Sequence, residues 1–220
     1  MTDIVLVGAG GCMRELVWQI QEQNKQQNEW NIVGYVEKSK PDNGEMLVVG
    51  KQRLCYLGDD DFLLQQTEPV NVVVCVGAPA IRKKIVQKLT TNPYIQFPNL
   101  ILNSAKVCED VRLGIGCIVS MDTRISTNVE VGNFVFLNTG SMICHDGKLD
   151  DYVTLNPDVK LAGNVTVGRE CEIGMGTKVI QGIKIGDNVT VGAGAVVIRD
   201  IASDVTAVGV PARNIKVSGR

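Results

Sequence analysis

From Ile101 onward the chain falls into six-residue units with no insertion. The first positions are Ile101, Val107, Leu113, Val119, Ile125, Val131, Leu137, Ile143, Leu149, Leu155, Leu161, Val167, Ile173, Val179, Ile185, Val191 and Val197. All seventeen are Ile, Leu or Val. If about a third of residues were of these types, such a run would arise by chance about once in 10⁸. Position five is mostly small or β-branched, as at Val111, Cys117, Thr123, Val129, Val135, Val153, Val159, Val165 and Val189. Position six is mostly polar, as at Arg112, Arg124, Glu130, Lys148, Lys160, Glu172, Lys178 and Lys184. Positions five, six and one therefore alternate in, out, in, as a strand does. Positions two and four are rich in Gly, Asn, Asp, Ser and Ala, which are largely turn residues. A short strand and a turn every six residues predicts a hexapeptide parallel β-helix. Three sides close one coil of eighteen residues. The units make between five and six coils, a prism about 27 Å tall at the usual strand spacing.

Residues 1–98 lack this repeat and predict a separate domain, with the β-helix domain at 99–220. Ile4–Val7 reads as a buried strand before Gly8-Ala9-Gly10-Gly11. A helix from Cys12 to about Gln27 turns Leu16, Val17 and Ile20 inward. Ile32–Val36 and Val70–Val76 are further strands, and Asp59 caps a short helix through Gln66. A helix from Ala80 to Leu89 completes a strand–helix alternation, which predicts a small parallel Rossmann-like α/β sheet. Pro93 and Pro98 mark the junction.

The glycine turn is half of a dinucleotide fingerprint, because Met13 stands where a third glycine would be. It fits a mononucleotide or phosphate held by backbone N–H groups at a helix start; a turn that merely packs strand on helix is the competing reading. Gly77, closing the third strand, would sit beside it at the carboxyl edge of the sheet, where such folds bind ligands.

Composition narrows the chemistry. Net charge is −2 with no basic run, which argues against nucleic acid. The early apolar run, Ile4 to Val7, is too short to span a membrane and, with no basic n-region before it, does not read as a secretory signal. The seven cysteines lie far apart with no C-x-x-C pair, which fits buried free thiols in a reducing compartment. The one histidine, His145, excludes chemistry that needs several histidine ligands, including zinc carbonic anhydrases of β-helix type. His145 falls at position three, a corner, so its side chain should project outward and suits general-base work. Asp146 would orient it, although turn chemistry alone also explains an Asp there. Gly163 stacks on the His145 edge. Pro157, Met175 and Ala193 stack on another, where a long ligand has room, and 209–213 should exit near that edge.

The segments Leu137-Asn138-Thr139, His145-Asp146, Leu161-Ala162-Gly163-Asn164-Val165, Gly209-Val210-Pro211-Ala212 and 77–84 resemble the bacterial sugar acyltransferases. The branch is that of the sialic acid O-acetyltransferases and bacillosamine N-acetyltransferases. The resemblance implies a left-handed β-helix and a cytoplasmic homotrimer that serves surface-glycan synthesis. It also implies acetyl-CoA as co-substrate, no metal, and a nucleotide-linked amino sugar of the 4-amino-4,6-dideoxy type as acceptor. By resemblance His145 is the general base, supported by Asp146. Asn138 lines the acceptor site and Gly163 offers a backbone N–H to the thioester oxyanion. Thr154, Met175 and Ala193 line the acetyl-CoA groove between subunits. Gly10, Gly11, Cys12, Glu37, Lys38 and Gly77 match nucleotide-sugar contacts. Cys12 stands where the family usually has histidine, and Thr154 replaces a second histidine of some members. O-acetylation of a sugar acid or other hydroxyl, and a non-catalytic nucleotide-sugar-binding or scaffold module, are the alternatives.

Overall fold

A computed structural model describes residues 1–39 and 46–215. The chain divides into two compact units, residues 1–77 with 81–98, and residues 78–80 with 99–220.

The first unit is built on β1 (Thr2–Val7), α1 (Gly11–Asn24), β2 (Trp30–Val36), β3 (Met46–Val49) and β4 (Gln52–Gly58). It continues through α2 (Asp60–Leu64), β5 (Val70–Val74), α3 (Pro79–Leu89) and β6 (Ile95–Gln96). The strand order is β3-β4-β2-β1-β5-β6. Every neighbouring pair is parallel except β3 with β4, which is antiparallel. The small parallel α/β sheet expected from the sequence is present, and two elements are added to it: the β3–β4 hairpin extends one edge and β6 the other. The hairpin turns at Gly50, whose φ of +59° a glycine adopts freely. On β3 the residues are exposed or half-buried, so no core-facing pattern marks the strand in the sequence.

Ile4, Leu6, Leu16, Val17 and Ile20 are buried as their periodicity requires. Asp59 caps α2 by accepting the Asp61 N–H at 3.0 Å, but the helix ends at Leu64, two residues short of Gln66. Helix α1 ends at Asn24, where Asn24 Oδ1 accepts the N–H of Trp30 and turns the chain toward β2.

The second unit is a β-helix of two-residue strands on three faces. Face one runs from Leu100–Ile101 through Phe136–Leu137 and Thr154–Leu155 to Thr190–Val191. Face two runs from Lys106–Val107 through Met142–Ile143 to Val196–Val197. Face three runs from Arg112–Leu113 through Lys148–Leu149 to Lys184–Ile185. Each strand pairs in parallel with the one eighteen residues on, for example Phe136 with Thr154 and Ile143 with Leu161. Position-one residues from Val119 to Val197 are buried. So are the position-five residues from Cys117 to Ala195, among which Thr123 and Thr177 donate their hydroxyls to backbone carbonyls.

Position four explains the corners. Every such residue from Gly116 to Gly194 has a left-handed φ, which turns the chain between faces. Gly, Asn and Asp supply most of them because they tolerate that region best. Ile101 departs from the pattern: it is exposed, and Leu100 and Leu102 are buried instead, so the first strand is one residue out of phase. The last coil shortens to sixteen residues, with Thr190 opposite Thr206. Thr206–Val208 then pairs antiparallel with Arg213–Ile215.

The cysteine expectation is also corrected. All seven are thiols outside any disulfide, but only Cys75, Cys117 and Cys171 are buried. Cys55 and Cys108 are exposed and Cys144 is half-buried, because strand alternation and corner geometry turn those positions outward, while Cys12 is partly buried in the first turn of α1.

Candidate functional site

His145 lies on the corner between faces two and three, flanked by Ile143 and Leu149, whose buried side chains fix the register. Its ring projects outward and about half of the side chain is exposed. Nδ1 lies 2.8 Å from Asp146 Oδ2. The Asn128 amide first, and then the His145 ring, hold the Asp146 carboxyl below the usual carboxylate range. An ionised Asp146 makes Nδ1 the protonated nitrogen and leaves the lone pair on Nε2.

The ring lies on Gly163 of the next coil. A Cβ at Gly163 would stand 2.4 Å from His145 Cε1 and 2.5 Å from Nε2. Only a residue without a side chain lets the imidazole rest there. Asn164 donates its N–H to the His145 carbonyl at 2.8 Å, so the two coils are also joined through backbone. The Gly163 carbonyl accepts from Gly182 N–H.

The other expected acetyl-CoA and acceptor residues of this unit lie elsewhere on the prism. Asn138, Met175 and Ala193 follow face one, on the corner before face two. Met175 and Ala193 are exposed, and Asn138 is half-buried with Oδ1 accepting the Thr139 N–H. Thr154 is buried within face one. One chain thus brings together His145, Asp146 and Gly163, and does not bring Asn138, Thr154, Met175 or Ala193 to that corner. The 209–213 tail meets the start of face two beside the corner that follows face one, where Ala212 N–H donates to the Val196 carbonyl and Val196 N–H to the Gly209 carbonyl.

In the first unit a cleft of about 340 Å³ opens at the carboxyl edge of the sheet. Val7 and Gly8 of the first turn, Glu37 and Lys38 after β2, and Val76 after β5 line it. Val36, Asp60, Ile81 and Ile85 complete the lining. The Glu37 carboxylate accepts the Ala9 N–H at 2.9 Å and the Lys38 N–H at 2.8 Å, so it ties the β2 end to the first turn. Gly10 is the N-cap of α1, and neither a side-chain cap nor an acidic residue occupies the first turn. Gly10 and Gly11 have open space beyond their Cα atoms. The first-turn N–H groups and the positive end of the helix dipole therefore remain available to an anion.

Burial pushes the Cys12 thiol up to about 12 against the opposing pull of Arg82, so at neutral pH Cys12 offers a neutral thiol to this turn. Arg82 is buried, and its Nη1 donates to the carbonyls of Val76 at 2.7 Å and Gly77 at 2.8 Å. That fixes the loop beside Gly77. Of the expected contacts Glu37 and Lys38 line the cleft, as does Gly8 of the glycine turn, whereas Gly10, Gly11, Cys12 and Gly77 are not part of its lining; Asp60 and Ile85 are lining residues that sequence reasoning missed. Ile81 and Ile85 carried a signal, an apolar pair at i and i+4 on α3.

Among the described residues no group of three or more His, Cys, Asp or Glu side chains is placed to hold a metal ion. No described helix is long and apolar enough to cross a membrane.

Residues 3–89 match the PglD N-terminal domain, and residues 164–199 match the bacterial transferase hexapeptide (six repeats). Over nearly its whole length the chain is similar to the GDP-perosamine N-acetyl transferase of Caulobacter crescentus, solved in complex with CoA and GDP-perosamine. Identity is 30%, coverage 99% of this chain and 98% of that one, and the TM-score 0.86. The acetyltransferase domain of PglB from Neisseria gonorrhoeae FA1090, in complex with acetyl coenzyme A, is 27% identical. It covers 97% of this chain and 98% of its own, with a TM-score of 0.84. WeeI from Acinetobacter baumannii AYE shares the fold at 24% identity over 98% of this chain and 100% of its own, with a TM-score of 0.81. No curated protein sequence matches.

Proposed function

The chain belongs to the hexapeptide-repeat sugar N-acetyltransferases that carry a PglD N-terminal domain, and from that membership we propose that it transfers an acetyl group from acetyl-CoA to the amine of a nucleotide-linked sugar. The acceptor is of the 4-amino-4,6-dideoxy type, and His145 is the general base. The observation that carries the base assignment is the His145–Asp146 pair at 2.8 Å with the ring seated on Gly163. That pair leaves Nε2 as the proton acceptor on an outward corner.

The reaction balances with the groups present. The amine nitrogen attacks the thioester carbonyl carbon and forms the C–N bond while His145 Nε2 takes the amine proton. The Gly163 N–H is the oxyanion donor. Collapse of the tetrahedral species breaks the C–S bond, and the imidazolium returns its proton to the CoA thiolate. A positioned base contributes roughly 10² to 10⁴ in rate.

Nucleotide binding falls to the first-unit cleft. The diphosphate sits at the α1 start over Gly10, Gly11 and Cys12, beside the loop of Gly77, and Glu37 and Lys38 contact the nucleoside. Because one chain keeps His145 and the Met175–Ala193 corner apart, a second copy completes the site: it brings the acetyl-CoA groove of Thr154, Met175 and Ala193, and the acceptor contact Asn138, to the base. A homotrimer does this for three sites at once.

The test measures release of CoA thiol from acetyl-CoA with UDP-, dTDP- and GDP-linked 4-amino-4,6-dideoxy sugars. Turnover with one acceptor, reduced at least 10²-fold in His145→Ala of unchanged oligomeric state, is the expected outcome. Full activity in that variant would overturn the base assignment.

A further inference from the structure

We propose that Asn128 is a positioning residue for the base, and that it sets the tautomer of His145 through Asp146. This rests on the reading of His145 as the base. The observations run up one edge of the prism across successive coils. Asp110 Oδ2 accepts the Thr127 hydroxyl at 2.5 Å and the Asn128 N–H at 3.0 Å. Asn128 Nδ2 donates to Asp146 Oδ1 at 2.6 Å. The other oxygen, Oδ2, faces His145 Nδ1 at 2.8 Å. The Asp146 backbone is fixed from the same corner, because its N–H donates to the Thr127 carbonyl at 3.2 Å.

Asn128 matters because the pair it holds is wet. His145 and Asp146 side chains are each about half exposed. An exposed ion pair or hydrogen bond is worth little alone, since water competes for both partners. The Asn128 bond is exposed too, but a carboxylate held at both oxygens has less freedom to rotate than one held at a single oxygen, which favours its second oxygen on Nδ1. Free imidazole has no such constraint, and which nitrogen carries the proton is decided by the hydrogen bond the other makes. Asn128 thus keeps the proton on Nδ1 and the lone pair on Nε2. An amide suits this position because it donates to Asp146 and brings no charge that would compete for the ring. Asn128 also holds a φ of +54°, a conformation asparagine tolerates, so backbone and side chain ask for the same residue.

The single histidine makes the test direct. In protein labelled with ¹⁵N-histidine, two imidazole nitrogen signals report the tautomer of His145 with no acceptor present. Two variants are compared with wild type. Asn128→Gly keeps the left-handed backbone and removes the amide. Asn128→Asp keeps the shape and replaces the donor with an acceptor that repels Asp146. The expected result is a neutral ring held as the Nδ1–H form in wild type and shifted toward the Nε2–H form in both variants. kcat should fall about 10-fold or more, by analogy with lost hydrogen-bond partners of metal-ligating histidines, while KM for acetyl-CoA stays unchanged. A merely structural Asn128 would lower the unfolding midpoint and leave the tautomer and kcat untouched, which overturns the proposal. Absence of turnover in wild type with every acceptor would count against the acetyltransfer reading instead, and the nitrogen signals would still decide the role of Asn128.

Discussion

Gly163→Ala tests how the base is supported more sharply than removal of the base itself. The backbone at Gly163 lies outside the left-handed region, so alanine fits its conformation, and the N–H proposed for the oxyanion is retained. What changes is one methyl group. It would stand 2.4 Å from Cε1, 2.5 Å from Nε2 and 3.0 Å from Nδ1 of His145, against ordinary contacts of about 3.5 Å or more. The imidazole must retreat by about 1 Å or swing off the corner. Because the ring is half exposed, it can do so into solvent, and thermal stability should change little. Catalysis should not be so tolerant: a displacement of about 1 Å in a reacting group can remove roughly 10² in rate. The expected outcome is therefore a fall in kcat of about 10²-fold at a melting temperature within a degree or two of wild type. Steady-state thiol release and a thermal melt on the same preparation measure both. Activity within about threefold of wild type would show that the seat under the ring is dispensable and that the close approach is incidental.

Other outcomes follow from the first unit and from the prism edge. Glu37→Gln should raise KM for the nucleotide sugar about 10-fold with a smaller change in kcat, because it weakens a charge-assisted bond that ties the Ala9 turn to β2; steady-state kinetics with varied acceptor separate the two. Arg82→Met should lower unfolding free energy by about 2–4 kcal/mol in urea titration, since it strips donors from the Val76 and Gly77 carbonyls in a buried setting. Asp110, Asp146 and Asp158 are held below their ordinary value of 3.8, led respectively by the bonds from Thr127, Asn128 and Lys160. Their contribution to stability is complete above that value and is lost as pH falls through the lower folded values; denaturant midpoints should be flat from about pH 7 to 5 and drop below about pH 4.

The β-helix was legible because every coil repeats one requirement: an apolar residue at position one, a small one at position five and a left-handed corner at position four. Asn128, Asp146 and Asn164 satisfy the corner rule whatever else they do. That is why Asn128 looked like turn chemistry and nothing more. Its second role depends on a neighbour eighteen residues away, and a rule that already accounts for a residue conceals any further one. The β3–β4 hairpin was missed for a different reason. Met46 and Val48 point outward and no face is buried on both strands, so neither alternation nor a continuous run marks the pair. Phe134 and Tyr152 violate the corner rule, as bulky residues at φ of +53° and +60°. Their rings stack 5.4 Å apart at 9°, a contact that the sequence disclosed only as two aromatics eighteen apart.

The eighteen-residue register makes the prism a length standard. The corner residue Thr139, one strand before His145, and Ala193 lie on the same edge, three coils apart. At about 4.8 Å per coil that is a rise of about 14 Å. Duplicating one complete coil between them would stretch the interval by one strand spacing and leave every corner in phase. Gaining or losing a single residue would instead rotate all later coils and scatter the edges. Such a scaffold changes its reach only in whole steps, so the span of ligand it can accommodate is counted in coils.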